Sequence, residues 1–343
     1  NPILDEQDMD KIRTLHKEGF HVEEVSILFH ASMHLEEAIE HLLETCDHAS
    51  EKGTNILILT DCGIDENHLA IPSLLAVSAI EQHFTETKKN TISIVLESGE
   101  PRNVHHFATL LGYGASAVYP YLAHESIREM VENIIDKEVS VAIRDYNDAI
   151  LHGVLKAASK MGVSTLQSYR SARLFEAIGL HRDVVNRYFS KTISQAGGIT
   201  LKEIEEDVRY HHQAFCNLEN DKLETIGFHR FQKGKAKEHH LYNPEAISTL
   251  QKAVRDGDYA EYKCYSQLIH QENDPISIRS LLTFDTTKRK SIPLSSVESA
   301  QSIVKRFKTG AMSYGSISEE AHTCLAEAMN QLHGKSNSGE GGE

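Results

Sequence analysis

The sequence has 343 residues, 40% of them apolar and 25% charged, a globular composition with room for about two domains or one large β/α barrel. Fifty acidic against 35 basic residues leave a formal net charge of −15, which argues against a general nucleic-acid binder and against docking on an anionic membrane. No apolar run reaches the ~18 residues of a membrane span, and Asn1–Asp5 lacks the basic and apolar segments of an export signal. The five cysteines, at 46, 62, 216, 264 and 324, are odd in number with no C-x-x-C pair, so reduced thiols and a cytoplasmic location are expected.

In chain order, residues 21–29 read as a strand and 34–49 as a helix with Leu35, Ala38, Ile39, Leu42 and Leu43 on one face. Gly53 follows as a C′ residue. Residues 55–60 are a short continuous apolar run, the pattern of a strand buried on both faces of a parallel sheet. A helix over 72–84 opens at Pro72, and a second buried strand spans 91–96. A helix at 102–111, a strand at 115–119 and a helix near 124–135 come next. A polar stretch at 136–144 precedes a helix at 145–160. Residues 163–166 read as a strand, and 170–178 as a helix ending at Gly179. The alternation predicts an α/β fold with a mostly parallel sheet, as a closed β/α barrel or an open doubly wound sheet.

Beyond residue 190 the pattern loosens. A helix is expected at 200–216, a polar hairpin or loop carrying Arg230, Lys233, Lys235 and Lys237 at 227–243, a helix from Asn243-Pro244 to Arg255, and an extended connector over 271–292 with Pro275 inside it. Six of the 20 glycines lie in residues 310–343, which sets a boundary near 291–308. The last stretch reads as the first βα unit of another domain, with Ser318 as helix N-cap.

Several motifs carry chemistry on paper. His34, His41 and His48 share a helix face but sit about 10.5 Å apart along the axis, too far for one metal ion with bonds near 2 Å. The pairs His105-His106, His211-His212 and His239-His240 diverge by about 100° on a helix, so no metal site is expected. Glu97-Ser98-Gly99-Glu100-Pro101-Arg102 follows a buried strand, at the functional rim of a β/α fold. It could do acid–base work; a salt-bridged turn in which Ser98 or Glu100 caps the next helix is the simpler reading. Gln195-Ala196-Gly197-Gly198 reads as a glycine turn. Gly334-Lys335-Ser336 is not a phosphate loop, because Met329 stands where the Walker pattern needs glycine.

The stretch 303–343, IVKRFKTGAMSYGSISEEAHTCLAEAMNQLHGKSNSGEGGE, resembles the start of the FMN-binding domain of the glutamate synthase large-chain family. SIVLESGEPRNVHHFATLLGYGASAVYPYLA (93–123), GVLKAASKMGVSTLQSYRSARLFEAIGL (153–180), SQAGGITLKEI (194–204) and HLYNPEAISTLQKA (240–253) resemble the central domain of the same family, in the same order. His333 and Ser338 stand where the family usually has Gly and Thr.

The resemblance implies a β/α-barrel-like central domain at 1–290, a connector at 291–308 and a truncated FMN-domain start at 309–343. It implies an enzyme that converts glutamine and 2-oxoglutarate to two glutamates with FMN, iron–sulfur clusters and an electron-donating small subunit or ferredoxin. This stretch would link the amidotransferase and FMN domains of the same polypeptide and help form an ammonia tunnel. Ala311, Met312 and Ser313 would lie beside FMN; Ser336, Asn337 and Glu340 would border the substrate side. No catalytic residue is implied here, so the isolated fragment is expected to be inactive and to hold no cofactor. The alternative is a free-standing, non-catalytic β/α interaction or regulatory module.

Overall fold

The computed structural model describes residues 1–89, 92–217, 225–234, 237–270 and 277–341. They divide into two compact units, Asn1–Lys222 and Leu223–Glu343.

The first unit runs α1 (Glu6–Arg13), β1 (Val22–Ser26), β2 (Leu28–His30), α2 (Leu35–Glu51), β3 (Ile56–Thr60), β4 (His68–Ala70), α3 (Ser73–Glu86), β5 (Ser93–Glu97), α4 (Val104–Gly112), β6 (Ala115–Tyr119), α5 (Tyr121–Asn133), α6 (Val139–Lys160), α7 (Leu166–Tyr169), β7 (Glu176–Leu180), α8 (Arg182–Tyr188), β8 (Ile193–Ile199) and α9 (Leu201–Cys216). Four strands form a parallel sheet in the order β1-β3-β5-β6. The continuous apolar runs have two destinations, because successive side chains point to opposite faces. Leu57, Leu59, Ile94 and Leu96 enter the large core with Ile39, Leu42, Val77, Ile80 and Phe107. Ile58 and Val95 enter a smaller core with Leu4, Met9 and Tyr119. Residues 2–4 cover the outer edge of β6 through Leu4 N–H to the Val118 carbonyl (2.9 Å) and Val118 N–H to the Pro2 carbonyl (2.8 Å).

The strand expected at 21–29 divides at Ile27. Its N–H donates to the Thr60 carbonyl and its carbonyl accepts from Ile71, both at 2.9 Å, which passes the chain from the main sheet to the antiparallel β2–β4 pair. Helices α5 and α6 begin earlier than the periodicity suggests, so most of the polar stretch at 136–144 is helical.

Three local expectations are corrected. Residues 163–166 are not a strand: Thr165 caps the short α7, its hydroxyl accepting from Ser168 N–H at 3.1 Å. Residues 170–178 are not a helix. Ser171 and Arg173 adopt left-handed φ of 59° and 53°, held by N–H donation to the carbonyls of Leu111 and Gly112 (3.2 and 3.0 Å), and β7 follows. Gln195–Gly198 is not a turn but part of β8, parallel to β7. A Cβ on Gly198 would overlap the Gly179 carbonyl, so the glycine lets two backbones meet. The β7–β8 pair and the four-stranded sheet are separate ladders among the described residues. The class is α/β with a mostly parallel sheet, and these ladders do not join into a ring.

The second unit holds α10 (Pro244–Asp256), α11 (Tyr259–Ile269), α12 (Ala300–Val304) and α13 (Glu319–Gln331), with single 3₁₀ turns at Ile278–Leu281, Leu294–Ser296 and Tyr314–Ser316. Local signals behave as expected: Pro244 opens α10 with Asn243 as its cap, and Ser318 caps α13 with Glu319 and Glu320 in the first turn. Of the expected βα unit the helix forms as α13, and among the described residues its strand is reduced to one parallel bridge, Lys308 to Lys335. Lys235, Pro275, Thr91 and Gly342-Glu343 lie outside the described residues. No helix of the described chain is long and apolar enough to cross a membrane.

Candidate functional site at the carboxyl rim of the parallel sheet

Strands β3, β5 and β6 end side by side at Thr60, Glu97 and Tyr119, and the polar residues follow at once. Apolar runs carry the chain through the core, and the first polar side chains emerge where the strands leave it.

Glu97 is 4% exposed. Its Oε2 accepts from Thr60 Oγ1 at 2.7 Å and from Arg13 Nη2, in the last turn of α1, at 2.5 Å. Arg13 Nε donates to Glu24 on β1 at 2.9 Å. A buried carboxylate needs such partners, because desolvating it alone costs several kcal/mol.

Asp61, 2% exposed, is the centre of a second network. Its Oδ2 accepts from Ser98 Oγ at 2.6 Å, and both oxygens accept from Gly99 N–H at 3.1 Å. Ser98 Oγ also meets Ser73 Oγ at 2.7 Å and accepts from Glu100 N–H at 3.1 Å. Glu100 Oε2 accepts from Ser73 N–H at 2.9 Å. It thereby caps α3 from across the rim, since Pro72 offers no capping side chain. The Tyr121 hydroxyl stands beside Asp61 and Cys62. Burial pushes the Asp61 and Glu100 carboxyls above the ordinary carboxylate range and raises the Cys62 thiol. Burial, then the Asp61 charge, raises Tyr121. Tyr119 is pushed up to about 12 by burial, with Glu6 and Glu97 adding to it.

The expectation that Ser98 or Glu100 caps the helix after the turn is corrected: Asn103 caps α4, accepting from His105 and His106 N–H at 3.0 and 3.3 Å. Sequence reading found Glu97, Ser98 and Glu100 but missed Thr60, Asp61, Ser73, Tyr121 and Arg13. The signal available was Thr60-Asp61 directly after a buried run, the same arrangement as Glu97-Ser98.

In the second unit, the two sets of sequence-expected residues are neighbours. Ala311 and Met312 are exposed and Ser313 half-buried. Asn337 N–H donates to Thr309 Oγ1 at 2.9 Å, and Asn337 Oδ1 accepts from Gly339 N–H at 3.0 Å. Gly339, at φ +67°, lies against the Met312–Ser313 peptide, where a Cβ would stand 3.1 Å from the peptide carbon and nitrogen. Ser336 and Glu340 are exposed on the same loop.

The three histidines on one face of α2 and its N-cap lie beside carboxylates. His34 Nδ1 pairs with Glu205 Oε1 at 3.2 Å, and His41 and His48 lie beside Glu44 and Glu51 at 4.0 and 3.5 Å. Among the described residues, no three His, Cys, Asp or Glu converge to hold a metal ion.

The family model described as glutamate synthase central domain matches residues 1–181, and that described as conserved region in glutamate synthase matches 240–343. The chain is 45% identical over 345 residues to the NADPH glutamate synthase large chain of Bacillus subtilis, covering 100% of this chain and 22% of that protein. It is 37% identical over 358 residues to the ferredoxin-dependent glutamate synthase of Pyropia yezoensis, covering 100% and 23%. It is 37% identical over 363 residues to the NADH glutamate synthase of Saccharomyces cerevisiae, covering 100% and 17%. The chain thus spans about a fifth of the length of these relatives.

Proposed function

The chain belongs to the glutamate synthase family, and from that premise we propose that it joins the ammonia-releasing and glutamate-forming parts of such an enzyme and lines the passage between them. The observation that carries the reading is the polar rim of Thr60, Asp61, Glu97 and Ser98 at the carboxyl ends of two neighbouring parallel strands, β3 and β5, where β/α folds place their functional groups. In this reading the central domain spans 1–290 and so includes α10 and α11 of the second unit. Residues 291–308 connect it to the start of the FMN-binding domain at 309–343.

FMN, when bound, supplies hydride transfer. Ala311, Met312 and Ser313 would flank its ring. The backbone at Gly310 is exposed and open to an approaching group, with no atom within 4 Å of where a Cβ would be. Ser336, Asn337 and Glu340 would face the 2-oxoglutarate side. The cysteines do not fit an iron–sulfur cluster: Cys46 is buried in the core, and no three metal donors converge among the described residues. In this reading the clusters are held elsewhere in the enzyme.

Partners follow from the same reading: the amidotransferase and FMN domains of one polypeptide, and a small electron-transferring subunit or ferredoxin. The relatives named for NADPH, NADH and ferredoxin all share this stretch, so it does not select the donor. On its own it should not form glutamate from glutamine and 2-oxoglutarate.

The test is Cys62→Phe in the complete enzyme. Cys62 is exposed, so a larger side chain there narrows the rim without opening the core. Glutamine hydrolysis should persist while the ratio of ammonia leaked to glutamate formed rises. An unchanged ratio with an unchanged glutamate rate would remove the rim from the passage.

A further inference from the structure

We propose that the cleft between α1, α5 and α6 is a binding site for a free α-amino acid with an uncharged polar side chain, a hydroxyl or a carboxamide. A cavity of about 630 Å³ opens there, within the ~300–1,000 Å³ of small-molecule sites. Its walls follow from helical spacing. His124 and Arg128 stand one turn apart on α5, and Ile143, Arg144, Asn147 and Asp148 share one stripe of α6. The third wall is the chain through Ile3, Asp5 and Asp8.

The buried part of this lining is polar and neutral. His124 and Asn147 are 2% and 6% exposed, and His124 Nε2 lies 2.9 Å from Asn147 Oδ1. Burial holds the His124 pKa below its ordinary value, so the ring carries one N–H and one lone pair. The two side chains share one hydrogen bond, and neither has another among the described residues. With Nε2–H donating to Oδ1, the Asn147 amide keeps two N–H groups and His124 Nδ1 keeps a lone pair. Exchanging the ends of the amide reverses these roles and still leaves the pair with a donor and an acceptor. Buried polar groups are ordinarily satisfied, and these two belong to the cavity wall. A hydroxyl or a carboxamide, which both donates and accepts, meets that count. A hydrocarbon leaves it unmet, and a carboxylate would lose its water beside a neutral pair.

The charged groups of the lining are its more exposed members, and most are already engaged. Arg128 Nη2 donates to Glu6 Oε2 at 2.6 Å, and Lys11 Nζ to Asp8 Oδ1 at 3.1 Å. Arg144 is exposed and has no partner among the described residues. It is the cation left to take a carboxylate, which a guanidinium grips with two parallel N–H groups. Asp5 is half-buried; its Oδ1 accepts from Asp8 N–H at 2.8 Å and caps α1, while Oδ2 is unused. The Asp5 charge reaches His124, which places it beside the neutral pair and within reach of an ammonium. Glu138 and Asp148 add negative charge to the lining, which favours that ammonium and opposes a second carboxylate. A zwitterion with its polar side chain inward thus satisfies the buried pair, Arg144 and Asp5 together. The proposal does not rest on the ammonia reading, and its readout does not involve glutamate formation.

The experiment is titration calorimetry of the full chain with L-glutamine and L-serine, the carboxamide and hydroxyl probes. At least one should bind saturably, one per chain, and the tighter of the two identifies the side chain. L-leucine and L-glutamate should bind more weakly by about tenfold or more, the first because it leaves the buried pair unsatisfied and the second because it carries a carboxylate to it. Arg144→Gln and Asp5→Asn should each weaken the better probe by about tenfold or more, because each removes a charge-assisted hydrogen bond. Neither change threatens the fold: Arg144 has no partner to lose, and asparagine caps a helix as well as aspartate does. Melting curves check that both variants are folded. Binding of neither probe, leucine or glutamate bound as tightly as the better probe, or an affinity indifferent to either substitution would each overturn the site.

Discussion

The two units hold their shape by different means. In residues 1–222 a continuous apolar core runs from Ile3 to Phe189, and each large side chain fully buried there contributes about 1.5–3 kcal/mol. In residues 223–343 the buried apolar side chains among the described residues are Ala246 and Ala253, while Ile278, Phe284 and Leu294 are 80, 93 and 86% exposed. That unit relies on helix caps at Asn243, Asp258 and Ser318, worth about 1 kcal/mol each, and on exposed ion pairs such as Glu298 with Arg306, which add little. The contrast teaches where geometry is enforced. The rim of the first unit sits on a packed sheet, whereas the Met312–Gly339 contact of the second is fixed by a few local hydrogen bonds.

The hardest blow to that contrast is Arg13→Ala. It leaves Glu97 buried with Thr60 as its remaining side-chain donor. Arg13 is 34% exposed, so the loss should fall at the low end for a broken buried pair, about 3 kcal/mol. The matching change in the second unit is Arg306→Ala. Arg306 and Ser302 hold Glu298 down at about 2, yet both partners are in solvent, and melting should not move measurably. Equal effects from the two substitutions would erase the distinction between a rim that is built in and a surface that is not.

Gly99→Val comes next. Gly99 does not have a positive φ, so the constraint is close approach: a Cβ would lie 3.2 Å from the Tyr121 hydroxyl and 3.3 Å from Leu122 Cδ2. Valine adds two methyl groups there, and overpacking of this kind costs about 1–3 kcal/mol. In the complete enzyme it should also raise the ammonia leaked per glutamate formed, by displacing the turn that Asp61 holds. Gly99→Ala should cost less, because Leu122 can yield by a few tenths of an ångström. A wild-type melt and wild-type coupling in the valine variant would mean that the turn is neither tight nor near the passage.

These residues also mark how far the sequence can be read. Ile56–Leu59 and Ile94–Leu96 announce buried parallel strands because every side chain on both faces must be apolar. Pro244 and Ser318 announce helix starts because their effect is local. β7 was not legible: its approach depends on Ser171 and Arg173 in left-handed conformations, stabilised by carbonyls of Leu111 and Gly112 on another helix. The rim was half legible for the same reason. Glu97-Ser98 stands out after an apolar run, but the network needs Asp61, Ser73 and Arg13, which only the sheet order brings together. The contact between Met312 and Gly339 was not legible: the family resemblance named the two stretches separately, and no periodicity pointed to their meeting.

A pH series separates two carboxyls of the first unit by sign. Burial pushes Asp47 up, but hydrogen bonds from Lys89 and His83 (2.6 and 2.9 Å) outweigh it, and its pKa lies below the ordinary Asp value. Its contribution is present above the unfolded value, near about 3.9, and is lost as pH falls through the lowered one. Asp61 is raised by burial, so its contribution is full below the unfolded value and fades as pH rises through the raised one. Asp47→Asn should flatten the acid side of the melting profile and Asp61→Asn the opposite side. Parallel profiles in both variants would show that the rim and the helix surface titrate alike.

The smallest effect has the opposite sign and belongs to the second unit. His333 follows α13 at φ 57°, the left-handed region in which a Cβ crowds the following carbonyl. The hydrogen bonds require that conformation: His333 N–H reaches the Asn330 carbonyl at 3.1 Å and Gly334 N–H the Met329 carbonyl at 2.9 Å, the pattern of a helix closed through a left-handed C′ residue. The turn cannot relax to suit histidine, because Gly334 lies against Phe307 and Met329 and Lys335 N–H donates to the Phe307 carbonyl at 3.0 Å. His333→Gly should therefore stabilise the end of α13 by about 0.5–1 kcal/mol, less than the full strain because glycine is freer in the unfolded chain. His333→Ala, which keeps the Cβ, should bring no gain. Amide hydrogen exchange over the last turn of α13 reads this directly: slower exchange in the glycine variant, with the amides of β3 and β5 unchanged. An equal gain from alanine would trace the effect to the imidazole, and no gain from glycine would mean that His333 occupies the left-handed conformation without strain.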